Sequence, residues 1–208
     1  MEADNIDGKK EPKRLPVWAC ISLFIVVLFI FIGLYGTLVS GGLSLVLGVE
    51  ARHPGGVGYI FVEASMLLAV LTAAVILLRL ERRPFSDLGL SLKGHASGLW
   101  YGLLMAILLY LLGFGISVVL GEIEVTGLQF KPLDLLGSWV FFLLVALFEE
   151  ILMRGYILGR LLHTNMNKFL ALFISSALFA FMHIFNPEIA FLPMLNLLLA
   201  GIISRRAC

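Results

Sequence analysis

From Val17 to Val39 the chain runs without one charged residue, and comparable runs recur to its end. A bilayer hydrocarbon core takes roughly 20 apolar residues of helix per crossing. Inside it every backbone N–H and C=O must be bonded within the protein, so runs of this kind become helices. The pattern predicts spans at Val17–Val39, Tyr59–Leu80, Gly98–Leu120, Leu133–Leu162, Phe169–Phe185 and Ile189–Ile203. That is an all-α polytopic transmembrane helical bundle of about six spans. Composition agrees: 60% of residues are hydrophobic and 14% charged, where a soluble domain is nearer half and a quarter.

The first run follows a charged head with Lys9, Lys10, Lys13 and Arg14. A signal peptide has that order, but its apolar region is about 7–15 residues. This run is longer and no A-x-A-like site follows, so a retained span is expected. The chain then divides into a tail at 1–16, two leading helices at 17–80, a basic loop at 81–97 and a core at 98–208. "SGG", "RHPGG", "RRP", "TG" and "NP" punctuate the links.

The basic residues orient this arrangement. Those of the head, Arg79, Arg82, Arg83 and Lys93 after the second span, Arg160 and Lys168 near the fourth turn, and Arg205 and Arg206 fall on alternating loops. The opposite loops hold only Arg52 and Lys131. The positive-inside rule then places both termini in the cytoplasm of a multi-pass protein of the cell membrane. The only cysteines are Cys20 and Cys208, which gives neither a disulfide framework nor a thiolate metal cluster. A net charge of +1 argues against a nucleic-acid partner.

Charges inside the fourth span need a reason. Phe148 to Arg160 reads "FEEILMRGYILGR". Glu150 and Arg154 are four apart, share a helix face and can pair. Glu149 is turned about 100° from Glu150. A lone ionised carboxylate in hydrocarbon costs several kcal/mol. A structural ion pair accounts for Glu150 and Arg154 but leaves Glu149 over, and ionisable residues inside membranes are usually functional.

A partner for Glu149 is within reach. The polar link "HTNMNK" joins the fourth and fifth spans. In an antiparallel hairpin centred near Met166, Glu149 lies as far before the centre as His183 lies after it. The two should therefore sit at similar depth. His183 is the histidine placed deep within a span; His53, His95 and His163 fall in loops. A carboxylate and an imidazole together can take a proton from water and return it to a leaving amine, which suits peptide hydrolysis. The alternative is a hydrogen-bonded packing histidine.

Weaker features are Asn196, which reads first as interhelical glue and second as a substrate contact, and Glu63, which can face an interior cavity beside Ala64 and Ser65. Gly98 and Gly102 allow close helix contact. "FNP" ends the fifth helix. No H-E-x-x-H, G-x-S-x-G or P-loop motif occurs.

At these residues the sequence resembles the CPBP family of intramembrane proteases, which includes the CAAX prenyl endopeptidases and bacteriocin-processing or immunity-type (Abi-type) membrane proteins. The family's E-E-x-x-x-R is matched by Glu149, Glu150 and Arg154, and its F-x-x-x-H by Phe179 and His183. "PFSDLGLSLK" resembles the segment before the family's core. The resemblance implies that Glu149 is the base that activates water, that His183 assists it, and that Glu150 and Arg154 form a supporting pair. It leaves the cofactor open between none and a divalent metal such as zinc. One intramembrane histidine and two glutamates are few ligands for zinc, and the reading leans to no obligatory metal. The partners implied are membrane lipid and a peptide or protein-tail substrate.

One departure bears on activity. The family's later H-x-x-x-N motif has no counterpart before the chain stops at "GIISRRAC", and the core is expected to be truncated there. Losing an oxyanion donor costs about 10²–10³ in rate. That keeps two rivals alive: a non-catalytic immunity or scaffold protein of the same fold, and a proton-coupled carrier, against which the absence of an internal repeat counts.

Overall fold

The computed structural model describes residues 15–47, 58–90, 96–127 and 130–184. Among them every regular element is helical and none is a strand. Among the described residues four segments are long and apolar enough to cross a membrane: Val17–Val46, Gly58–Leu80, Trp100–Val119 and Pro132–Leu162. The sixth expected span at 189–203, Asn196, Pro187 and most of the 1–16 tail lie outside the described residues.

Helix α1 (Val17–Leu47) is longer than the sequence suggests. Ser40, Gly41 and Gly42, read above as a link, continue the helix. Glycine weakens a helix through its backbone entropy and by exposing the backbone to water. Where no water reaches, an unbroken helix satisfies the backbone best. Helix α2 (Gly58–Leu80) returns antiparallel to α1: the Tyr35 and Thr72 hydroxyls meet at 3.3 Å. Ala69, Ala73 and Ala74 are fully buried on α2. Small residues there let the backbones close up, which matters in lipid, where helices associate by packing and polar contacts rather than by expelling water.

After α2 the chain turns through Arg82, in the left-handed region at φ 55°. It then makes a short 3₁₀ turn at Phe85–Leu88, tied by an Arg83–Asp87 ion pair at 3.0 Å. Gly89, at φ 68°, closes that turn with its N–H on the Ser86 carbonyl. Helix α3 (Ala96–Val119) buries none of its membrane window against the rest of the described chain.

Helix α4 (Pro132–Glu150) starts with proline in its first turn, where the missing N–H costs nothing. It runs without a break into a π-helical stretch, Ile151–Leu158, and then α5 (Gly159–Leu162). This long helix lies parallel to α2. At one end Tyr59 meets Phe141, ring centroids 6.2 Å apart; at the other, Glu81 meets Tyr156. Asn167 caps α6 (Lys168–Met182) by accepting from the Phe169 N–H at 2.9 Å, and α6 runs back antiparallel.

The core gathers around the π stretch. Ile151, Leu152, Tyr156, Ile157 and Leu161 pack there with Phe24 and Leu28 of α1, Val70 and Leu77 of α2, and Ala171 of α6.

Candidate active site

The site forms where the end of α4 faces the end of α6. Glu149 and Glu150 are the last residues of α4, and the π stretch follows at once. Such stretches are rare and concentrate at functional sites. Glu150 and Arg154, one turn on, form an ion pair. Their side chains are half-exposed, at 48% and 33%, and both line the cavity described below.

Glu149 turns away from that pair towards α6. Its Oε1 lies 3.5 Å from Nε2 of His183. The helix ends at Met182 with His183 as its C-cap, so His183 lies at the end of α6 and not deep within it; Phe185, the expected end, lies outside the described residues. The last turn tightens to i→i+3 bonding, with the His183 N–H on Ala180 O and the Ile184 N–H on Phe181 O, both at 3.1 Å.

The cap geometry also orients the imidazole. Nδ1 lies 2.9 Å from the Phe179 carbonyl. A carbonyl only accepts, so Nδ1 carries the proton and donates it. Nε2 is thereby directed at Glu149, as a lone pair in the neutral ring and as a second donor in the imidazolium. The Phe179 ring packs edge-on against the imidazole at 4.6 Å. Phe179 therefore holds His183 twice, with its carbonyl and with its ring, which gives F-x-x-x-H a physical meaning.

A cavity of about 160 Å³ opens beside these groups. Glu149, Glu150 and Arg154 form its polar wall; Met153, Leu158, Leu172 and Phe179 line the rest with Ser175 and Ser176. Sequence reasoning did not reach Met153, Ser175 or Ser176. The only signal for the serines was a polar pair within an apolar helix, which reads equally well as packing. Glu63 is half-buried on α2, within electrostatic reach of Glu149.

For a metal, the donors that come together are Glu149 and His183. Among the described residues no group of three or more His, Cys, Asp or Glu side chains converges, whereas a catalytic zinc takes three protein ligands.

Residues 131–207 match the family model described as Rce1-like, type II CAAX prenyl endopeptidase Rce1-like. The two motifs and the model point the same way. The match contains all four candidate residues and the cavity wall; α1, α2, α3 and the 3₁₀ turn lie before it. No curated protein and no solved structure matches the chain.

Proposed function

We propose that this membrane protein is a multi-pass intramembrane endopeptidase of the CAAX-protease type, cutting membrane-associated peptides or protein tails. The observation that carries the reading is the Glu149–His183 contact at 3.5 Å, beside a cavity with one charged and one apolar wall and within the segment similar to Rce1-like endopeptidases.

Glu149 takes a proton from water as the water oxygen attacks the peptide carbonyl. His183, fixed through Nδ1, offers Nε2 to the water or to the carboxylate and steadies the charge that develops. When the C–N bond breaks, the proton held by the pair passes to the departing amine. Arg154 neutralises Glu150, so that Glu149 is not one of two adjacent uncompensated carboxylates. The cavity takes an apolar side chain of the substrate: a space of this order holds a benzene-sized group. With both termini in the cytoplasm by the positive-inside rule, the cut falls in or near the cytoplasmic half of the bilayer.

The test is cleavage of a peptide library by the chain reconstituted in lipid. Glu149→Gln and His183→Ala are expected to lower kcat/KM by about 10²–10⁴, the range for losing a positioned acid or base. A parent chain that cuts nothing, or variants that cut as well as the parent, would overturn the assignment. The first result would favour the scaffold reading.

A further inference from the structure

A second polar cluster lies outside the site, with members from three helical elements and the turn after α2. Cys20 comes from α1, Glu81 from just beyond α2, Tyr156 from the π stretch and Arg160 from α5. Both Glu81 oxygens are engaged. Oε1 accepts from the Tyr156 hydroxyl at 2.8 Å. Oε2 faces Arg160 Nε at 3.0 Å, an ion pair whose angle does not make a hydrogen bond. Arg160 Nη2 also donates to Cys20 Sγ at 3.4 Å. The side chains of Glu81 and Arg160 are only 9% and 13% exposed, and Tyr156 is 1% exposed. The Phe24 ring stacks on Tyr156 at 3.9 Å. Next to Tyr156, Gly155 lies so close to the 3₁₀ turn that a Cβ would sit 3.1 Å from the Leu88 carbonyl.

Of these contacts, those of Tyr156 with Glu81 and Phe24 and that of Gly155 with Leu88 reach the π stretch itself. The stretch also bears on α6, where Ser175 Oγ donates to the Met153 carbonyl at 3.4 Å, and α6 carries His183. A π-helical turn holds more residues than an α-helical one, so its winding fixes how the residues after Glu150 are rotated. Left to itself an apolar segment favours the α form. Something has to hold the wider turn, and three of the residues in contact with it, Phe24, Glu81 and Leu88, precede the matched segment.

We propose that Glu81, Tyr156 and Arg160 are positioning residues, a clamp by which the leading helices hold the π-helical winding of Ile151–Leu158 and so bring His183 level with Glu149. Its catalytic consequence rests on the endopeptidase reading above; its structural content does not. The leading helices are then a working part of the site and not only an anchor.

The test separates the two. In the full chain in lipid vesicles, with Cys20→Ser and Cys208→Ser, the substitutions Glu149→Cys and His183→Cys are joined by a short bifunctional thiol reagent. Adding Tyr156→Phe, which keeps the ring stack and removes one hydroxyl, is expected to lower the cross-linking rate about threefold. Glu81→Ala is expected to lower it further, with Glu81→Gln between the two because it keeps an acceptor for Tyr156. An unchanged rate in all three overturns the clamp, whatever the cleavage assay shows. With Glu149 and His183 intact, Tyr156→Phe is expected to reduce kcat about tenfold while KM stays within twofold, since substrate contacts are untouched. A parent that never cleaves sinks the endopeptidase reading and leaves the cross-linking rate to decide the clamp. Loss of cleavage through KM alone overturns the positioning role.

Discussion

At the scale of single residues, Glu149, Glu150 and Arg154 each meet an oppositely chargeable partner: Glu150 pairs with Arg154, and Glu149 faces His183. Arg154→Met leaves the Glu150 carboxylate without its guanidinium, and Glu150→Gln leaves Arg154 without that carboxylate. The pair is half-exposed, so each change is expected to cost about 1–2 kcal/mol, well under the 3–5 kcal/mol of a fully buried pair. The double variant is expected to lose less than the sum, with a coupling of about 1 kcal/mol. Unfolding in a mild detergent measures it, and purely additive losses would count against the pair. This pairing was legible in the sequence because i,i+4 spacing needs only a local helix. The similar depth of Glu149 and His183 was legible for a related reason: residues equidistant from a helical hairpin's turn lie near one level, although the π stretch between Glu149 and that turn was not foreseen. The Glu81–Tyr156 bond was not. Its partners are 75 positions apart, and nothing short of packed helices brings them together. Arg160 was read only as a marker of orientation, because a basic residue near a span end has that reading by default.

At the scale of elements, the π stretch is what sequence patterning missed. Hydrophobic periodicity does not register one extra residue per turn in a segment that is apolar on most sides. Gly155 was the available signal, and its meaning depends on a neighbour: the Leu88 carbonyl occupies the space a side chain would take. Gly155→Ala is therefore expected to cost about 1–3 kcal/mol, as overpacking does, and to impair cleavage with it. Gly113→Ala is the contrast. Nothing lies within 4 Å of a Cβ there, and alanine is the better helix former by about 1 kcal/mol. Its thermal midpoint should hold or rise slightly. Equal losses at the two glycines would show that the close approach at Leu88 carries no weight. The long α1 teaches a similar lesson: Gly41 and Gly42 read as a break by the habits of soluble helices, and the helix runs through them.

At the scale of the whole molecule, orientation links the architecture to the side of the membrane on which the proposed cut would fall. The starts of α2 and α4 share one end of the bundle, since Tyr59 meets Phe141. The end of α2, the 3₁₀ turn and the α5–α6 link share the other, since Glu81 meets Tyr156 and Leu88 lies under Gly155. That second end gathers Arg79, Arg82, Arg83, Arg160 and Lys168, whereas the first carries Lys131 before α4. A basic excess marks the cytoplasmic side. In a background of Cys20→Ser and Cys208→Ser, a membrane-impermeant thiol reagent applied to intact cells should therefore label Glu122→Cys, on the exposed α3–α4 link. It should label Ser86→Cys and Asn165→Cys only after permeabilisation. All three positions are exposed, so access to the compartment and not burial decides the signal. The inverse pattern would turn the bundle over and move any cut at Glu149 to substrates approaching from the opposite side. Labelling of all three from outside would break the link between the basic loops and the helical arrangement.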